Sequence, residues 1–497
     1  MTREKKNLLT GALIVVIVYI ATLWQRPMFA PQEFDFAILS MKSSSSFAAE
    51  LNGLFGKALK FNIVSVRLLP ALSAIICALC VRALGKKMHG EGFGNISALI
   101  FLSTGLVFAF ATSCLKEMIN TMLFTLAVSS AFAAFELEKE SPEYLRYLLA
   151  AAGGCATGFF ASSMGLDSML FPLMAIAFYA IFARPPQAKP IAVTGFICAL
   201  AVFFLWQIDH KMVLFSKYGT IDFSRAGLLI AGSFPWVLLL PQAVMGAMKN
   251  RREFFRRRSV IFSCSAIVSG ILVFPVAGIL SAAVMVSPFA ALLFCEALKE
   301  AENDQKALKI STWALRLFSL LILIFTAALV VTYFTGTLPA KLMYRSKYEL
   351  AGFAVACAAA LIQFQIAIDG KPQNKVGKLL HIATGAAVMM ILFPGAIPDP
   401  IKAKYAHEDF FISTAGRYMA PDAVIYADKE TFSTAKWIFR KHKVILLNKR
   451  SCSALAKRLE KRKNTAIFIS YNKKFPFPLP KNRMLFVRRN RRVILCQ

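Results

Sequence analysis

Of 497 residues, 57% are hydrophobic and the mean hydropathy is +0.58, above the about 45–50% apolar usage of soluble domains, so a water-soluble fold has too little interior to hide them. The net charge of +31, from 58 basic and 27 acidic residues, would point to nucleic acid in a soluble chain. Here the basic residues lie mainly between apolar runs, where they report topology, and no nucleic-acid partner is expected. The sequence has no P-loop, zinc-type Cys/His spacing or G-x-S-x-G elbow, which excludes the common soluble-enzyme motifs.

A membrane helix needs about 20 apolar residues to cross about 30 Å of hydrocarbon. In chain order such runs fall near 8–24, 63–84, 95–114, 118–135, 146–162, 165–183, 190–207, 226–247, 259–275, 277–298, 311–334, 350–368 and 378–394, which predicts about 13 transmembrane helices. The first follows Thr2-Arg-Glu-Lys-Lys6 with no small-residue cleavage site after it, and so reads as a retained helix. Short loops rich in Lys and Arg stay in the cytoplasm. With the N-terminus inside, every second loop is basic: Arg82 to Lys87, Arg184 to Lys189, Lys249 to Arg258, the loop with Lys299, Lys306 and Lys309, and that with Lys371, Lys375 and Lys378. The chain divides into a transmembrane domain over 1–397 and a basic soluble domain over 398–497, the latter expected in the periplasm.

Residues 400–497 hold 23 Lys or Arg against 6 Asp or Glu, a net charge of +17, and long domains cross a membrane despite such charge. Ala423 to Tyr426, Lys443 to Leu447, Ala466 to Ser470 and Arg492 to Cys496 are strand-like, with helical stretches around 431–441 and 451–463. That alternation predicts a small α/β domain. Pro476, Pro478 and Pro480 mark an extended segment before the last strand. Eight of the ten cysteines lie within or at the ends of apolar runs, where a thiol behaves as a small hydrophobe. Cys452 and Cys496 are left in the tail as a possible disulfide in an oxidising compartment.

The segment Pro31-Gln-Glu33-Phe-Asp35-Phe-Ala37 sets two carboxylates just beyond the first apolar run, on a helix-like stretch reaching about Met41. A carboxylate at the membrane surface is placed to accept the proton of an acceptor hydroxyl or amine. Lys57, Lys60 and Arg67 follow, and such groups make charge-assisted bonds to phosphate oxygens. Glu117 and Asp167 fall at outer helix ends; ionisable groups near the membrane interior are costly and often functional. The plain alternative for all four acids is solvation at a helix end. Asp209, His210 and Asp222 share the next outer loop.

In order, these features resemble the GT-C membrane glycosyltransferases of the protein O-mannosyltransferase and aminoarabinose transferase type, glycosyltransferase family 39. The family's Pro-Asp-Glu-x-Arg-Tyr-Ala-like motif is matched by Pro31 to Ala37, and its Phe-x-Val-Arg-Leu-Pro-Ser-Ala-Leu-like motif by Asn62-Ile-Val-Ser-Val66-Arg67-Leu68-Leu69-Pro70-Ala71-Leu72. Its Arg-Pro-Asp-Met segment becomes Leu115-Lys116-Glu117-Met118, and Gly232-Ser-Phe-Pro235-Trp236 to Pro241 looks like its Phe-x-Pro-Trp helix. The resemblance covers roughly residues 8–300. The departures are Gln32 for the motif's Asp, no Glu-Lys-Pro-Pro element, Ser162-Ser163-Met164-Gly165 for Thr-Lys-Gly-Pro, and Ala277-Gly278-Ile279-Leu280 for a Ser-Lys-Leu-Pro-like turn.

The resemblance implies transfer of a sugar from a polyprenyl-phosphate donor to a lipid or protein acceptor, such as lipid A, on the outer face of a bacterial inner membrane. Glu33, Asp35 and Glu117 are then the candidate catalytic residues, and Lys57, Lys60, Arg67 and Asp167 the substrate-binding ones. No metal or other cofactor is called for, because Lys and Arg can neutralise a lipid monophosphate. The partners are the lipid-linked sugar, its acceptor and membrane lipids. Two other classes stand beside this reading: a transporter or flippase for a lipid-linked glycan, which would carry mid-helix charges and internal symmetry, and a non-catalytic divergent member.

Overall fold

A computed structural model of the protein describes residues 32–41, 46–137, 141–185, 188–208, 232–272, 278–301, 304–335, 347–369, 422–429, 431–439, 442–460, 465–470, 483–488 and 491–496, with scattered positions at 17–23, 229, 378–388 and 419. The expected span 8–24 lies largely outside these residues and 378–394 is described only in part, while Asp209, His210 and Asp222 lie outside them.

Among the described residues eight helices are long and apolar enough to cross a membrane, and a bent pair makes a ninth candidate. Two short helices come first, α1 (Gln32–Met41) and α2 (Phe47–Ala58), followed by α3 (Ile63–His89). The bent pair is α4 (Glu91–Leu102) and α5 (Gly105–Ala111), and α6 (Lys116–Phe135), α7 (Glu143–Met164), α8 (Leu170–Ala183) and α9 (Ala188–Ile208) follow. After α10 (Leu240–Lys249) and α11 (Arg258–Ile271) come the long helices α12 (Ile279–Glu300), α13 (Gln305–Phe334) and α14 (Lys347–Asp369). Each of α3 to α14 falls on a span expected from the apolar runs; the described residues do not reach a total of thirteen.

Helix α6 forms the axis of the bundle and packs on α3, α7 and α12. Its Phe124 and Phe132 anchor an aromatic cluster. Phe132 lies 4.1 Å from Phe262 and 5.3 Å from Tyr179, while Phe124 meets Phe289 edge-on at 5.9 Å. Edge-to-face rings of this kind add about 0.5–1.5 kcal/mol per pair beyond area burial. By contrast α9 and α13 are apolar but mostly uncovered by protein, as helices facing lipid are. Helix α3 starts at a capping box in which the Asn62 side chain accepts from the Ser65 backbone N–H at 2.7 Å and Ser65 Oγ accepts from the Asn62 N–H at 2.8 Å.

The 65° bend between α4 and α5 frees backbone groups at a depth where each unsatisfied one costs several kcal/mol. The segment around Trp236 repairs it. The Gly105 N–H donates to the Phe234 carbonyl at 2.9 Å and Trp236 Nε1–H to Ser103 Oγ at 3.2 Å. The Phe-Pro-Trp motif is therefore a brace for a broken span.

Residues 424–496 form the expected α/β unit. Its strands β1 (Val424–Ala427), β2 (Val444–Leu446), β3 (Thr465–Ser470), β4 (Arg483–Arg488) and β5 (Arg491–Cys496) make a sheet of order β2-β1-β3-β5-β4. The first three are parallel, and β5 runs antiparallel to both β3 and β4. Helix α15 (Phe432–Ile438) and α16 (Lys449–Glu460) provide the crossovers. Alternation along β1 sends Ile425 and Ala427 to a core with Ala435 and Phe439, and Tyr426 to one with Leu455 and Ile467 on the other face. Strand β4 is absent from the sequence-based expectations. Cys452 is a free thiol, and so are Cys77 and Cys80.

Helices α7 and α9 touch backbone to backbone: a Cβ on Gly158 would lie 2.6 Å from the Ala199 carbonyl oxygen, and one on Gly154 would overlap the Gly195 carbonyl. Small residues let membrane helices approach this closely. Gly158→Leu is therefore expected to cost about 1–3 kcal/mol by overpacking, whereas Gly352→Leu, with open space around it, leaves stability unchanged. Thermal unfolding of the two variants in detergent tests this; equal midpoints would remove the close-packing account.

Candidate active site

The site begins with a buried charge. Arg67, on the second turn of α3, is fully enclosed, and its Nη2 lies 2.6 Å from Glu33 Oε2, itself only 2% exposed. Arg67 Nη1–H also donates to the Leu23 carbonyl at 3.3 Å. An isolated ion in such a place would be strongly destabilising, so the pair stands or falls together. Asn52 of α2 donates from Nδ2 to Ser40 Oγ at 3.1 Å and reaches Cys114 Sγ at 4.0 Å, fastening α2 to α1 above the pair.

Two of the candidate residues meet in this contact. Arg67, expected at the donor phosphate, is buried against a carboxylate. Glu33, expected as a base, has that oxygen committed to a guanidinium inside the protein. Both were singled out for their charge, and what sequence could not show is that a separation of 34 residues closes into one contact.

Asp35 is two positions further along α1, about 200° round the helix, and its side chain is exposed. Its Oδ1 accepts a hydrogen bond from the Ser433 hydroxyl of α15. The α/β unit therefore sits at the acidic end of the bundle, and Trp437 of the same helix, 3% exposed, joins the bundle's main core. Asp428 holds α15 in register, accepting from the Thr431 N–H at 2.9 Å and Oγ1–H at 2.7 Å. Sequence reasoning passed over Ser433, since a serine in a basic tail carries no signal of its own.

Lys57 and Lys60 are both exposed at the end of α2 and make no ion pair among the described residues. Lys60 and Phe61 adopt positive φ, 59° and 35°, a tight left-handed turn that leads directly into the Asn62 cap of α3. Two ammonium groups without an ion pair among the described residues thus stand on the last turn of α2 and the turn after it.

Glu117 occupies the first turn of α6, where a negative charge favours the helix dipole. Its Oε2 is buried with no hydrogen-bond partner among the described residues, and Ser281 of α12 lies beside it. One turn on, Asn120 Oδ1 accepts from Ser163 Oγ at 2.7 Å, and Ser46 Oγ donates to the Ser163 carbonyl at 3.4 Å. Asp167 is half-buried on a 3₁₀ turn, Leu166–Met169, that links α7 to α8. All the candidate residues therefore lie at one end of the bundle, with Glu33 and Asp35 sharing α1 and the others on different elements.

Removing one partner of a buried ion pair costs about 3–5 kcal/mol, whereas replacing both by apolar groups of similar size is often neutral. Arg67→Met and Glu33→Gln are each expected to lower the thermal midpoint sharply, and the double variant Arg67→Met with Glu33→Leu to recover most of the loss. Additive losses in that cycle would mean the pair is not a unit.

No protein-family model and no curated protein matches this sequence. Solved structures do match. The crystal structure of ArnT from Cupriavidus metallidurans in the apo state superposes with a TM-score of 0.75 at 14% identity, covering 99% of this chain and 98% of that one. The same protein bound to undecaprenyl phosphate gives 0.74 at 14% identity, over 98% and 97% of the two chains. At that identity the likeness concerns architecture, and it spans bundle and sheet alike: this chain has the fold of ArnT, that of a GT-C polytopic membrane protein.

Proposed function

We propose that the protein is a membrane glycosyltransferase that moves a sugar from a polyprenyl-phosphate donor to a lipid or protein acceptor. The observation that carries this reading is the coincidence of nearly the whole chain with ArnT bound to undecaprenyl phosphate. The acidic end of the bundle supplies groups of the right kind. Asp35 is the proton acceptor: it is exposed and already holds a hydroxyl donor, that of Ser433, as it would the hydroxyl of an acceptor. The acceptor oxygen or nitrogen bonds to the anomeric carbon, the carbon–phosphate oxygen bond breaks, and the released proton goes to the Asp35 carboxylate. Polyprenyl phosphate leaves with its charge neutralised by Lys57 and Lys60. Glu117 and Asp167 bind sugar or acceptor hydroxyls, and Glu33 with Arg67 positions α1.

The acidic end faces the periplasm of a bacterial inner membrane, since the basic loops lie at the other end and are retained inside. The 1–397 segment is the catalytic bundle. The 398–497 segment covers its outer end without separate chemistry.

Purified protein in lipid, incubated with labelled polyprenyl-phosphate sugars, should transfer label. Asp35→Asn should reduce kcat by about 10²–10⁴-fold, the usual contribution of a general base, and Lys57→Gln with Lys60→Gln should raise KM for the donor. Undiminished turnover in Asp35→Asn would remove that assignment, and no donor consumption by wild type would favour a transporter or a non-catalytic member. Reporter fusions at residue 497 should report the periplasm; a cytoplasmic signal would move the site to the other face.

A further inference from the structure

At the end of the bundle opposite the acidic site, charged groups are closely paired. Arg257 binds Glu300 at 2.6 Å and Glu296 at 3.6 Å, His89 Nε2 lies 3.0 Å from Glu296, and Arg258 reaches Glu136 at 3.2 Å, where Tyr179 also donates at 2.5 Å. Three arginines of the same connector, Arg251, Arg252 and Arg256, are exposed and make no ion pair among the described residues. Glu253, also exposed, is the only acid among residues 249–258, against six Lys or Arg.

Arg256 stands at the mouth of a groove of about 490 Å³ between α8 and α11, lined by Phe178, Phe182, Phe255, Val260 and Val268. The groove starts at the N-terminus of α11, which no side chain caps, so its first amides and the positive end of the helix dipole point at an incoming anion. It then follows α11 for about 12 Å at 1.5 Å per residue. Just past Val268, the Ser269 hydroxyl binds the Phe171 carbonyl and ties the two helices together. The rim is apolar and uncovered, with Phe182 69%, Phe255 53% and Val268 49% exposed. An unpaired cation, an open helix N-terminus and an apolar trough match a molecule with a phosphate at one end and a hydrocarbon chain at the other. Basic pockets between membrane helices on the cytoplasmic side bind lipid head groups in this way.

We propose that this groove is a binding site for an anionic glycerophospholipid of the inner leaflet. Its phosphate lies at Arg256 and the N-terminus of α11, and one acyl chain lies along Phe178, Phe182 and Val268. Only the naming of the leaflet rests on the orientation proposed above, and the site is separate from sugar transfer.

Native mass spectrometry of the full chain in detergent, titrated with phosphatidylglycerol or phosphatidylcholine of identical chains, tests it. Phosphatidylglycerol should be retained at least tenfold better. Arg256→Gln should weaken it about fivefold, from about 1 kcal/mol per basic residue, and Val268→Trp, which fills the trough without altering charge, should weaken it comparably; Phe182→Ala serves if that variant does not fold. Lys299→Gln, an exposed cation outside the groove lining, should change nothing. Equal retention of the two lipids, equal losses in Lys299→Gln and Arg256→Gln, or full competition by glycerol phosphate would each overturn the proposal, the last by showing a head-group site with no role for the chain. Loss of transfer with retained lipid binding would count against the proposed function alone.

Discussion

The acidic end of this protein is organised around one enclosed ion pair. Arg67 is wholly buried, so its guanidinium needs a counter-charge within the protein, and Glu33 provides it. Because Glu33 belongs to α1 and Arg67 to α3, that requirement fixes the short helix against the long one. Fixing α1 in turn determines which way Asp35 points, since two residues along a helix turn the side chain to the opposite side. The exposed carboxylate is a geometric consequence of the buried one. Asn52 and Ser40 add a second fastening between α1 and α2, which carries Lys57 and leads to Lys60.

The spans were legible in the sequence because crossing hydrocarbon demands a minimum run of apolar residues, and each of α3 to α14 falls on a run identified in that way. The α/β alternation of the tail was equally legible, with one exception. Arg483-Met-Leu-Phe-Val-Arg488 has a short apolar centre between arginines and follows three prolines, so it reads as an extended connector. Only its pairing with β5 makes it a strand. The acids at the bundle's end were found as types but not as roles. Charge marks Glu33, Asp35 and Arg67 alike, and what separates a buried pair from an exposed base is a contact between distant segments. Ser433 was invisible for the same reason.

The Phe-Pro-Trp segment illustrates how a motif can be recognised for one reason and retained for another. In the sequence it is a marker of family likeness. In the structure its Phe234 carbonyl satisfies the Gly105 N–H freed where α4 gives way to α5, and its indole bonds the Ser103 hydroxyl at the same break. At the 65° bend the Ser103 and Thr104 amides are satisfied locally and the Gly105 amide by the other element, which ties the break to its brace. The opposite end solves its electrostatic problem differently, with Glu136, Glu296 and Glu300 shared among several cations and a surplus of arginine left at the surface.

The contact between Asp35 and Ser433 joins residues 398 positions apart. Synthesis proceeds from the N-terminus, and domains generally fold as units in that order. The helix bearing Asp35 therefore leaves the ribosome, and takes its place against α3, long before the serine that bonds to it exists. During that interval the core that Trp437 later joins lacks that side chain. The order of synthesis thus makes this contact later than every helix of the bundle, and a chain arrested before α15 would carry α1 to α14 with the Asp35 carboxylate not yet bonded to Ser433.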